Sequence, residues 1–583
     1  MEEQVAGRVI VNALKDEGVR TVFGLPGGHV LSIYDALYDT PEIEHVLVRH
    51  EHSAACMAAG YAQLTGEPGV CIVTAGPGCT NLLTGIAEAF IGSLPIVILS
   101  GRGATANAQR GAQQELPTEL AFAPATKHSI RVDRADLVSD AVAHAFRVAR
   151  NGKPGPVLLD LPRDILDSTV AVKPYIPSGP LPRPGGDPEL VAQAAAALQG
   201  AERPILIAGG GTIASNAADH LLELAEGLAS PVLTSLAGRG SISDHHPLSV
   251  GGLGAHRNSL SKQLLVEADV VVGLGTRFEE METNWRPGFV PSPDAAYIQV
   301  DIDPAELSRS IPARIGIVGD VGSVLRQLLE ELAERQALLP AGAYADHPRT
   351  IAARKAMAEL RTEVDAIAAR DQSPMHPLSA IRAVRRALPE EGTVAIDVGC
   401  LAQHIAGAAP YFDIYGPRRT IVPSSFYGMG YAAAALPAAK LVYPDRPAVC
   451  FVGDGSFQMA WNILPAAAER RLGVTWCVLD DNALGSIWDI QQYRFDERVL
   501  GTAFGLPIDY AAVARACGCH GERVEDPGGC GDAVERAFAA NAEGIPAVID
   551  FSVARERMPG TMEHYTFYPR ELLEDHQRPL SPA

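Results

Sequence analysis

The stretch from residue 448 to residue 482, AVCFVGDGSFQMAWNILPAAAERRLGVTWCVLDDN, contains two short apolar runs on either side of a segment of helical length. Such apolar runs are typical of strands that are buried on both faces of a parallel sheet. The first run ends in Gly-Asp-Gly at residues 453–455, and the second ends at Asn482. Parallel strands joined by one helix end at the same edge of the sheet, where α/β proteins bind ligands. We therefore predict that Asp454 and Asn482 lie together at this edge.

An aspartate and an asparagine at one sheet edge offer the hard oxygen ligands that magnesium prefers, and magnesium accepts phosphate oxygens in the same shell. Gly453, Gly455 and Ser456 are small, so backbone N–H groups at the helix start could approach a phosphate closely. A Gly-Asp-Gly turn alone is more often only a turn. The prediction of a site for Mg²⁺ and a diphosphate therefore depends on the whole strand–turn–helix–strand arrangement.

This arrangement resembles the thiamine diphosphate enzyme family, in which Gly-Asp-Gly is followed by an asparagine at the end of the next strand. The resemblance implies thiamine diphosphate and Mg²⁺ as cofactors, with Asp454 and Asn482 binding the metal through their side chains. It also implies a third ligand, the backbone carbonyl of Leu484. Many members have Asn-Asn where this chain has Asp481-Asn482, but the metal ligand is the second of the two.

Strand-like and helix-like segments alternate along the chain, which predicts an α/β fold with parallel sheets covered on both faces. The chain has 583 residues, too many for a single core. Pro- and Gly-rich stretches predict linkers near residues 173–187 and beyond residue 339. We therefore expect three doubly wound parallel-sheet domains: a pyrimidine-binding domain at 1–172, a central domain at 188–338 and a diphosphate-binding domain at 350–555, followed by a tail or lid at 556–583.

The net charge and the cysteines indicate which binding partners and which cellular compartment to expect. The formal net charge of −21 repels the phosphates of nucleic acids and anionic membranes, so we expect neither as a partner. The N-terminus lacks the pattern of a signal peptide, and no apolar stretch reaches membrane-spanning length. The nine cysteines are scattered, several within apolar runs, which is typical of buried free thiols in a reducing compartment. We expect a cytoplasmic protein.

In the first domain, Arg-His-Glu-His at residues 49–52 lies where a predicted strand meets a helix. A glutamate there could simply interact with the helix dipole. In the family, however, a glutamate at this position faces the pyrimidine ring of the cofactor and works as a general acid–base, and Glu51 matches it. GLPGG before it (24–28) and TAGPGCTN after it (74–81) match blocks of acetolactate synthase-like enzymes. The cofactor contacts implied by these blocks are Pro26, Gly28, Gly78 and Asn81.

Two blocks in the third domain extend the implied cofactor site. DVGCL (397–401) matches a loop that lays backbone groups on the diphosphate, although acetolactate synthases usually have Gln-His in place of Cys400-Leu401. GMG (428–430) matches a block in which a bulky apolar residue wedges beneath the cofactor, and we assign the wedge to Met429, with a core methionine as the alternative. The implied contacts are Val398, Gly399, Cys400, Leu401, Tyr427 and Met429, besides Gly453, Gly455 and Ser456.

Polar residues at two places are predicted to reach the substrate. His29 follows the glycine-rich turn, where a histidine resembles that of benzaldehyde lyase, but it could equally be an ordinary helix-start residue. QQELP (113–117) resembles the Phe-Gln-Glu block of acetolactate synthase, which gives Gln114 the glutamine role. In a benzaldehyde lyase-like alignment the matching residue is Gln113. The predicted catalytic residues are therefore Glu51, His29, Gln113 and Gln114.

The central segment contains GGG (209–211), GTR (275–277) and DID (301–303), which resemble the flavin-binding middle domain of acetolactate synthase and glyoxylate carboligase. A glycine cluster after a strand is weak support alone, and related domains bind ADP or no ligand. The resemblance therefore allows FAD as a further cofactor without requiring it. Its contacts would be Gly209, Gly210, Gly275, Arg277 and Asp301.

The resemblance implies an acetolactate synthase-like carboligase that decarboxylates a 2-oxo acid and transfers the acyl unit to a second carbonyl compound. Ile490 stands where acetolactate synthases have the tryptophan that recognises the second 2-oxo acid. A lyase acting on a 2-hydroxy ketone and a 2-oxo acid decarboxylase therefore remain alternatives. A non-catalytic regulatory paralogue would not need Glu51, Asp454 and Asn482 together. In the family the active sites lie at a subunit interface, which implies a homodimer or homotetramer.

Overall fold

The structure, a computed structural model, describes residues 3–179, 183–254 and 257–556. Within these ranges the strands form three six-stranded sheets and one two-stranded ribbon. All strand pairs inside the three large sheets are parallel. This confirms the predicted α/β class with three doubly wound parallel-sheet domains. Of the predicted tail or lid, only Glu556 belongs to the described residues.

The first sheet belongs to the N-terminal third of the chain. Its strands are β2 (Thr21–Leu25), β3 (Glu44–Leu47), β4 (Gly69–Val73), β5 (Ile96–Arg102), β6 (His128–Arg131) and β7 (Pro156–Pro162), while β1 (Glu3–Val5) pairs antiparallel with β8 (Thr169–Ala171). Its helices are α1 (Ala6–Asp16), α2 (Leu31–Tyr38), α3 (Glu51–Thr65), α4 (Pro77–Thr80), α5 (Leu83–Ile91), α6 (Thr118–Phe122), α7 (Val138–Arg150) and α8 (Arg163–Leu166). The strand order is β3-β2-β4-β5-β7-β6.

The second sheet belongs to the central segment. Its strands are β9 (Pro204–Ala208), β10 (Val232–Thr234), β11 (Ser249–Gly252), β12 (Val270–Leu274), β13 (Ala296–Asp301) and β14 (Ile315–Val318). Its helices are α9 (Pro188–Gln199), α10 (Gly210–Ala214), α11 (Ala218–Leu228), α12 (Ser259–Glu267), α13 (Glu280–Thr283) and α14 (Val321–Glu334). The strand order is β11-β10-β9-β12-β13-β14.

The third sheet contains the Gly-Asp-Gly turn. Its strands are β15 (Thr393–Ile396), β16 (Thr420–Ile421), β17 (Ala448–Gly453), β18 (Thr475–Asp480), β19 (His520–Val524) and β20 (Ala547–Ser552). Its helices are α15 (Pro348–Ala368), α16 (Pro377–Ala387), α17 (Tyr431–Ala435), α18 (Ala438–Val442), α19 (Asp454–Ala460), α20 (Leu464–Glu469), α21 (Gly485–Arg494), α22 (Tyr510–Ala516) and α23 (Cys530–Ala542). The strand order is β16-β15-β17-β18-β20-β19.

The strand orders explain where the glycine-rich turns lie. The first and third sheets have the same order, and the central sheet has the order of a dinucleotide-binding fold. In each sheet the order reverses between its first strand and one neighbour: β2 and β4, β9 and β12, and β15 and β17. A crevice opens at the carboxyl ends of two such strands. The predicted ligand-binding glycine turns of all three domains follow these strand pairs.

Alternating strand residues are buried on opposite sides of the first sheet. Val70 and Ile72 belong to one apolar cluster, whereas Cys71 and Val73 belong to another. The second cluster continues into the third domain, because α3 packs against α17 there and Gly60 leaves room for Ala435.

The nine cysteines are all free thiols, and only Cys517 is not buried. Among the described residues, none of the helices combines the length and the apolarity that crossing a bilayer requires.

A buried arginine joins the central and third domains. The Arg239 side chain is 2% exposed, and its guanidinium donates to Asp244 Oδ2 at 2.6 Å. It also donates to the backbone carbonyls of Gly407 at 2.6 Å and Phe412 at 2.7 Å. Burial raises the pKa of Asp244, and Arg239 opposes that effect. The ion pair and both carbonyl contacts therefore depend on one cation.

Replacing Arg239 by methionine would leave Asp244 buried without its main counter-charge. We expect Arg239→Met to lower the free energy of unfolding by about 3–5 kcal/mol, as for other broken buried pairs. Urea unfolding followed by circular dichroism would measure the change. Arg134→Met is the matched control, because Arg134 is 67% exposed and pairs with Asp136 at the surface. Equal unfolding midpoints for both variants would contradict this role of Arg239.

Candidate functional site

Glu51 is the first residue of α3 and lies at the edge of the first sheet. Its side chain is only 5% exposed. The Asn81 amide donates to Glu51 Oε2 at 2.9 Å. A Cβ on Gly78 would lie 3.5 Å from Glu51 Oε1, so the glycine leaves space beside the carboxylate. The structure thus brings together Glu51, Gly78 and Asn81, as the sequence suggested.

A second group of side chains continues from this carboxylate. His29 Nδ1 lies 3.2 Å from Thr74 Oγ1, and the Thr74 hydroxyl lies 3.5 Å from Gln114 Oε1. Burial, and then the positive charge of Arg163, lowers the pKa of His29. The imidazole is therefore neutral at neutral pH and can accept a proton. Gln113 is exposed and does not join this group. Thr74, which links the two predicted residues, was not assigned a role from the sequence.

Asp454 and Asn482 meet at the edge of the third sheet. Asp454 is the first residue of α19 and is 1% exposed. Its Oδ1 accepts a hydrogen bond from Gly455 N at 2.8 Å, and its Oδ2 accepts one from Ala483 N at 3.1 Å. The Asn482 amide nitrogen donates to Phe504 O at 2.9 Å, which makes its amide oxygen the ligand that Asn482 could offer.

Three carboxylates crowd this edge, and two of them pair with arginines. Asp481 lies 3.3 Å from Arg555, and Asp480 lies 3.1 Å from Arg523. Burial, then the charges of Asp481 and Asp480, raises the pKa of Asp454 to about 8. The hydrogen bonds from Gly455 and Ala483 come from backbone N–H groups, which carry no full positive charge. A divalent cation would supply the positive charge that this carboxylate needs, so the residues fit the predicted Mg²⁺.

The third predicted ligand has other partners. The Leu484 carbonyl accepts hydrogen bonds from Ile487 N at 3.0 Å and Trp488 N at 2.9 Å, in the first turn of α21. A metal ion bound by this carbonyl would compete with these two hydrogen bonds. The role of Leu484 as a metal ligand stays a prediction. Similarly, the Cys400 N–H donates to Ser486 Oγ at 3.0 Å, so a phosphate contact there would have to replace this bond.

The backbone of the predicted diphosphate cradle borders open space. Among the described residues, no atom lies within 4 Å of a Cβ built on Gly399 or Gly453 of this cradle, or on Gly28 of the first domain. Gly399 also has a φ of 126°, which strongly favours glycine. Val398 O accepts a 3.4 Å hydrogen bond from Ser456 Oγ, which ties this loop to the Gly-Asp-Gly turn. These turns fit a diphosphate because its oxygens could approach the backbone closely.

Asp397 organises this cradle, although the sequence did not assign it a role. It is fully buried, and its Oδ1 accepts hydrogen bonds from Val398 N and Gly430 N, both at 2.9 Å. Its Oδ2 accepts one from Ala433 N at 3.0 Å. The carboxylate thus fixes the loop after β15 against the turn that contains Met429. The Met429 methyl lies 3.7 Å from the position of a Cβ on Gly455.

The central domain borders a cavity of about 760 Å³. Of the residues predicted to bind FAD, Gly210, Gly275, Arg277 and Asp301 line it. Gly209 has a packing role instead, because its Cβ would lie 2.1 Å from Gly275 O. Tyr427 also lines this cavity, so its predicted contact with thiamine diphosphate stays a prediction.

Comparisons with known proteins match the three domains in order. The N-terminal TPP binding domain of thiamine pyrophosphate enzymes matches residues 4–122, the central domain of these enzymes matches 191–328, and their C-terminal TPP binding domain matches 379–551. The probable acetolactate synthase large subunit of Methanocaldococcus jannaschii is 34% identical over 91% of this chain and 89% of its own length. The acetolactate synthase isozyme 3 large subunit of Escherichia coli is 34% identical over 90% of this chain and 91% of its own length.

The raised pKa of Asp454 predicts that Mg²⁺ binding releases a proton. The carboxyl is largely protonated at neutral pH without a cation, because its pKa is about 8. Since only the ionised form binds metal, the apparent Mg²⁺ affinity should rise about tenfold per pH unit as the pH approaches this value, and then level off. Calorimetric titration with Mg²⁺ in the presence of thiamine diphosphate, in buffers of different ionisation enthalpy, would measure the protons released. An affinity independent of pH below this value would refute the prediction.

Proposed function

The chain belongs to the thiamine pyrophosphate enzyme family, and from that premise we propose how the residues of an acetolactate synthase-like carboligase share its chemistry. The membership confirms the resemblance inferred from the sequence. The enzyme depends on thiamine diphosphate, with Mg²⁺ as the metal typical of the family. The observation that carries the proposal is the buried Glu51 carboxylate, which accepts a hydrogen bond from Asn81 at 2.9 Å.

When bound, thiamine diphosphate supplies the electron sink needed to break or form a bond at a carbonyl carbon. Glu51 holds and exchanges a proton at a ring nitrogen of the pyrimidine. Its 5% exposure limits access of water, which strengthens the electrostatic contact between the carboxylate and that nitrogen. Asn81 keeps the carboxylate oriented by donating to one oxygen. Gly78 leaves the space beside the other oxygen free.

Asp454, Asn482 and Leu484 hold Mg²⁺ at the other end of the cofactor. The backbone of Val398 and Gly399 and the turn from Gly453 to Ser456 bind the phosphates. Support comes from the open space beside the glycines and from the burial of Asp454 beside Asp480 and Asp481, where a cation would favour the ionised carboxylate.

His29 and Gln114 act on the substrate. A neutral imidazole can accept a proton from a substrate hydroxyl and return it, which suits a reaction that forms or cleaves a hydroxy ketone. Gln114 orients a carbonyl or hydroxyl group through its amide. Thr74 lies between both side chains and holds them in one hydrogen-bonded group.

The donor is a 2-oxo acid, and the acceptor is a second carbonyl compound. Ile490 lies half-buried on α21, the helix that follows the metal-site turn. An isoleucine in place of the usual tryptophan widens the acceptor pocket. The second candidate reaction is cleavage of a 2-hydroxy ketone or simple decarboxylation, because the wider pocket changes which compound can accept the acyl unit.

The active unit is a homodimer or a larger homo-oligomer. Large apolar side chains are exposed close in sequence to predicted cofactor residues or their partners: Phe426, beside Tyr427, is 46% exposed, Ile487 on α21 is 49% exposed, and Leu506, two residues after Phe504, is 77% exposed. Exposed apolar groups of this size favour burial against another subunit. A partner chain would thereby bring Glu51 of one subunit to the diphosphate site of the other.

The central cavity could hold FAD or a related nucleotide. A volume of about 760 Å³ is within the range of ligand pockets, and Arg277 offers a cation to a phosphate. The nearby 3.1 Å pair of Arg277 with Glu279 would have to adjust to such a ligand.

Product analysis with pyruvate, thiamine diphosphate and Mg²⁺ tests the proposed reaction. We expect acetolactate as the main product. Acetaldehyde alone would indicate a decarboxylase, whereas no pyruvate turnover together with cleavage of a 2-hydroxy ketone would indicate a lyase.

Glu51→Gln should lower kcat by a factor of about 10²–10⁴ with little change in cofactor affinity. Glu42→Gln, which removes an exposed partner of Lys15, should leave kcat unchanged.

The acceptor pocket can be tested at Ile490. Ile490→Trp should fill part of the pocket and lower kcat/KM for an aromatic aldehyde acceptor about 10-fold relative to a small 2-oxo acid. Ile490→Leu conserves the volume and should keep the original preference. Competition between the two acceptors, with both products quantified, measures this ratio. An unchanged ratio in Ile490→Trp would place Ile490 outside the pocket.

A further inference from the structure

The loop of residues 103–117 carries both glutamines predicted to reach the substrate. It leaves the sheet after Arg102, the last residue of β5, and ends at α6. Glu119, in the first turn of α6, lies 2.6 Å from Arg102 Nη1 through its Oε2. One ion pair therefore closes the base of the loop.

The same guanidinium nitrogen also reaches the sheet. Arg102 Nη1 lies 2.5 Å from Oδ2 of Asp160, a residue of β7 with no exposed surface. The second carboxylate oxygen, Oδ1, is buried and has no hydrogen-bond partner within the described part of the chain. Burial raises the pKa of Asp160 to about 7, and Arg102 opposes that effect. Arg102 is thus the cation that lets two acids share this site.

The inside of the loop is held by its own acid. Both carboxylate oxygens of Glu115 accept hydrogen bonds from loop backbone, at 2.5 Å from Gln109 N and at 3.1 Å from both Gly111 N and Ala112 N. These bonds fix the shape of the loop but not its position over the sheet. Its position depends on contacts with the rest of the domain. Thr105 is attached to Asp164 by exposed hydrogen bonds, whereas the Arg102 cluster is more buried.

The loop position decides where Gln114 lies. A Cβ on Gly76 would be 2.8 Å from Gln114 O, so the loop backbone packs directly on the turn after β4. Gln114 itself has a φ of 61°, a left-handed conformation that the surrounding contacts must maintain. Its side chain lies 3.5 Å from Thr74 Oγ1. A shift of the loop would therefore move Gln114 away from Thr74 and His29.

We propose that Arg102 is a positioning residue, which joins Glu119 to Asp160 and so holds the loop of residues 103–117 in register with the substrate. This inference rests on the proposed function, because it takes Gln114 to be a substrate contact. The cluster acts on substrate recognition and not on the cofactor, since Glu51 and Asp454 are held by other partners.

Arg102→Met tests the proposal in the full enzyme with thiamine diphosphate and Mg²⁺ bound. Hydrogen exchange followed by mass spectrometry should show faster exchange of amides in residues 103–117. KM for the 2-oxo acid should rise about 10-fold or more, with a smaller change in kcat and an unchanged cofactor affinity. Arg102→Lys keeps the charge and should recover part of the KM effect. Arg134→Met, an exposed arginine of the same domain, is the control and should match the wild type.

The two readouts separate the possible failures. Unchanged loop exchange, or an unchanged KM despite a loosened loop, overturns the positioning role. If the wild type turns over no 2-oxo acid and no 2-hydroxy ketone, the proposed function fails, while the exchange experiment still decides whether Arg102 holds the loop. If Arg102→Met does not fold, Glu119→Gln releases the loop while Asp160 keeps its arginine. Exchange and KM like those of the wild type in Glu119→Gln would then overturn the proposal.

Discussion

A carboxylate buried at a sheet edge needs compensation, and the two on which the proposed site depends receive it differently. Glu51 begins the 15-residue helix α3, where the helix dipole favours a negative charge, and Asn81 donates to it. Asp454 accepts a backbone N–H on each oxygen while other acids stand beside it. The first carboxylate is satisfied within the chain and can exchange a proton. In the proposed site the second binds a cation, which in turn attracts a diphosphate.

The sequence predicted the fold and these two carboxylates because both depend on local order. Apolar runs followed by glycine turns identify buried parallel strands, and the carboxyl ends of neighbouring strands must meet. The sequence did not identify Asp397, Thr74 or Arg102, since their roles come from contacts with segments far along the chain. The hydrogen bond of Cys400 could not be predicted for the same reason, because its N–H donates to Ser486 on α21. No pattern near Cys400 predicts that partner.

The glycines of the central domain illustrate a limit of motif-based prediction. A side chain on Gly209 would collide with Gly275 O, and one on Gly211 would lie 2.7 Å from Gly275 Cα. Close packing of the turns after β9 and β12 therefore requires glycine whether or not a nucleotide binds. The glycine pattern supports the fold of this domain, whereas the ligand has to be argued from the cavity and the charges around it.

The departures from the usual family pattern concentrate around α21. Asp481 pairs with Arg555, and the Arg555 guanidinium lies 4.7 Å from the centre of the Trp488 ring. Ile490 lies two residues beyond Trp488 on α21. The cofactor end of the site is built largely from backbone groups and buried acids, which tolerate little change. In the proposed function the substrate end is built from side chains on α21 and on the loop of residues 103–117, which can change without disturbing the metal site. Divergence within this family fold can therefore alter the acceptor while the carboxylates that activate and anchor the cofactor stay in place.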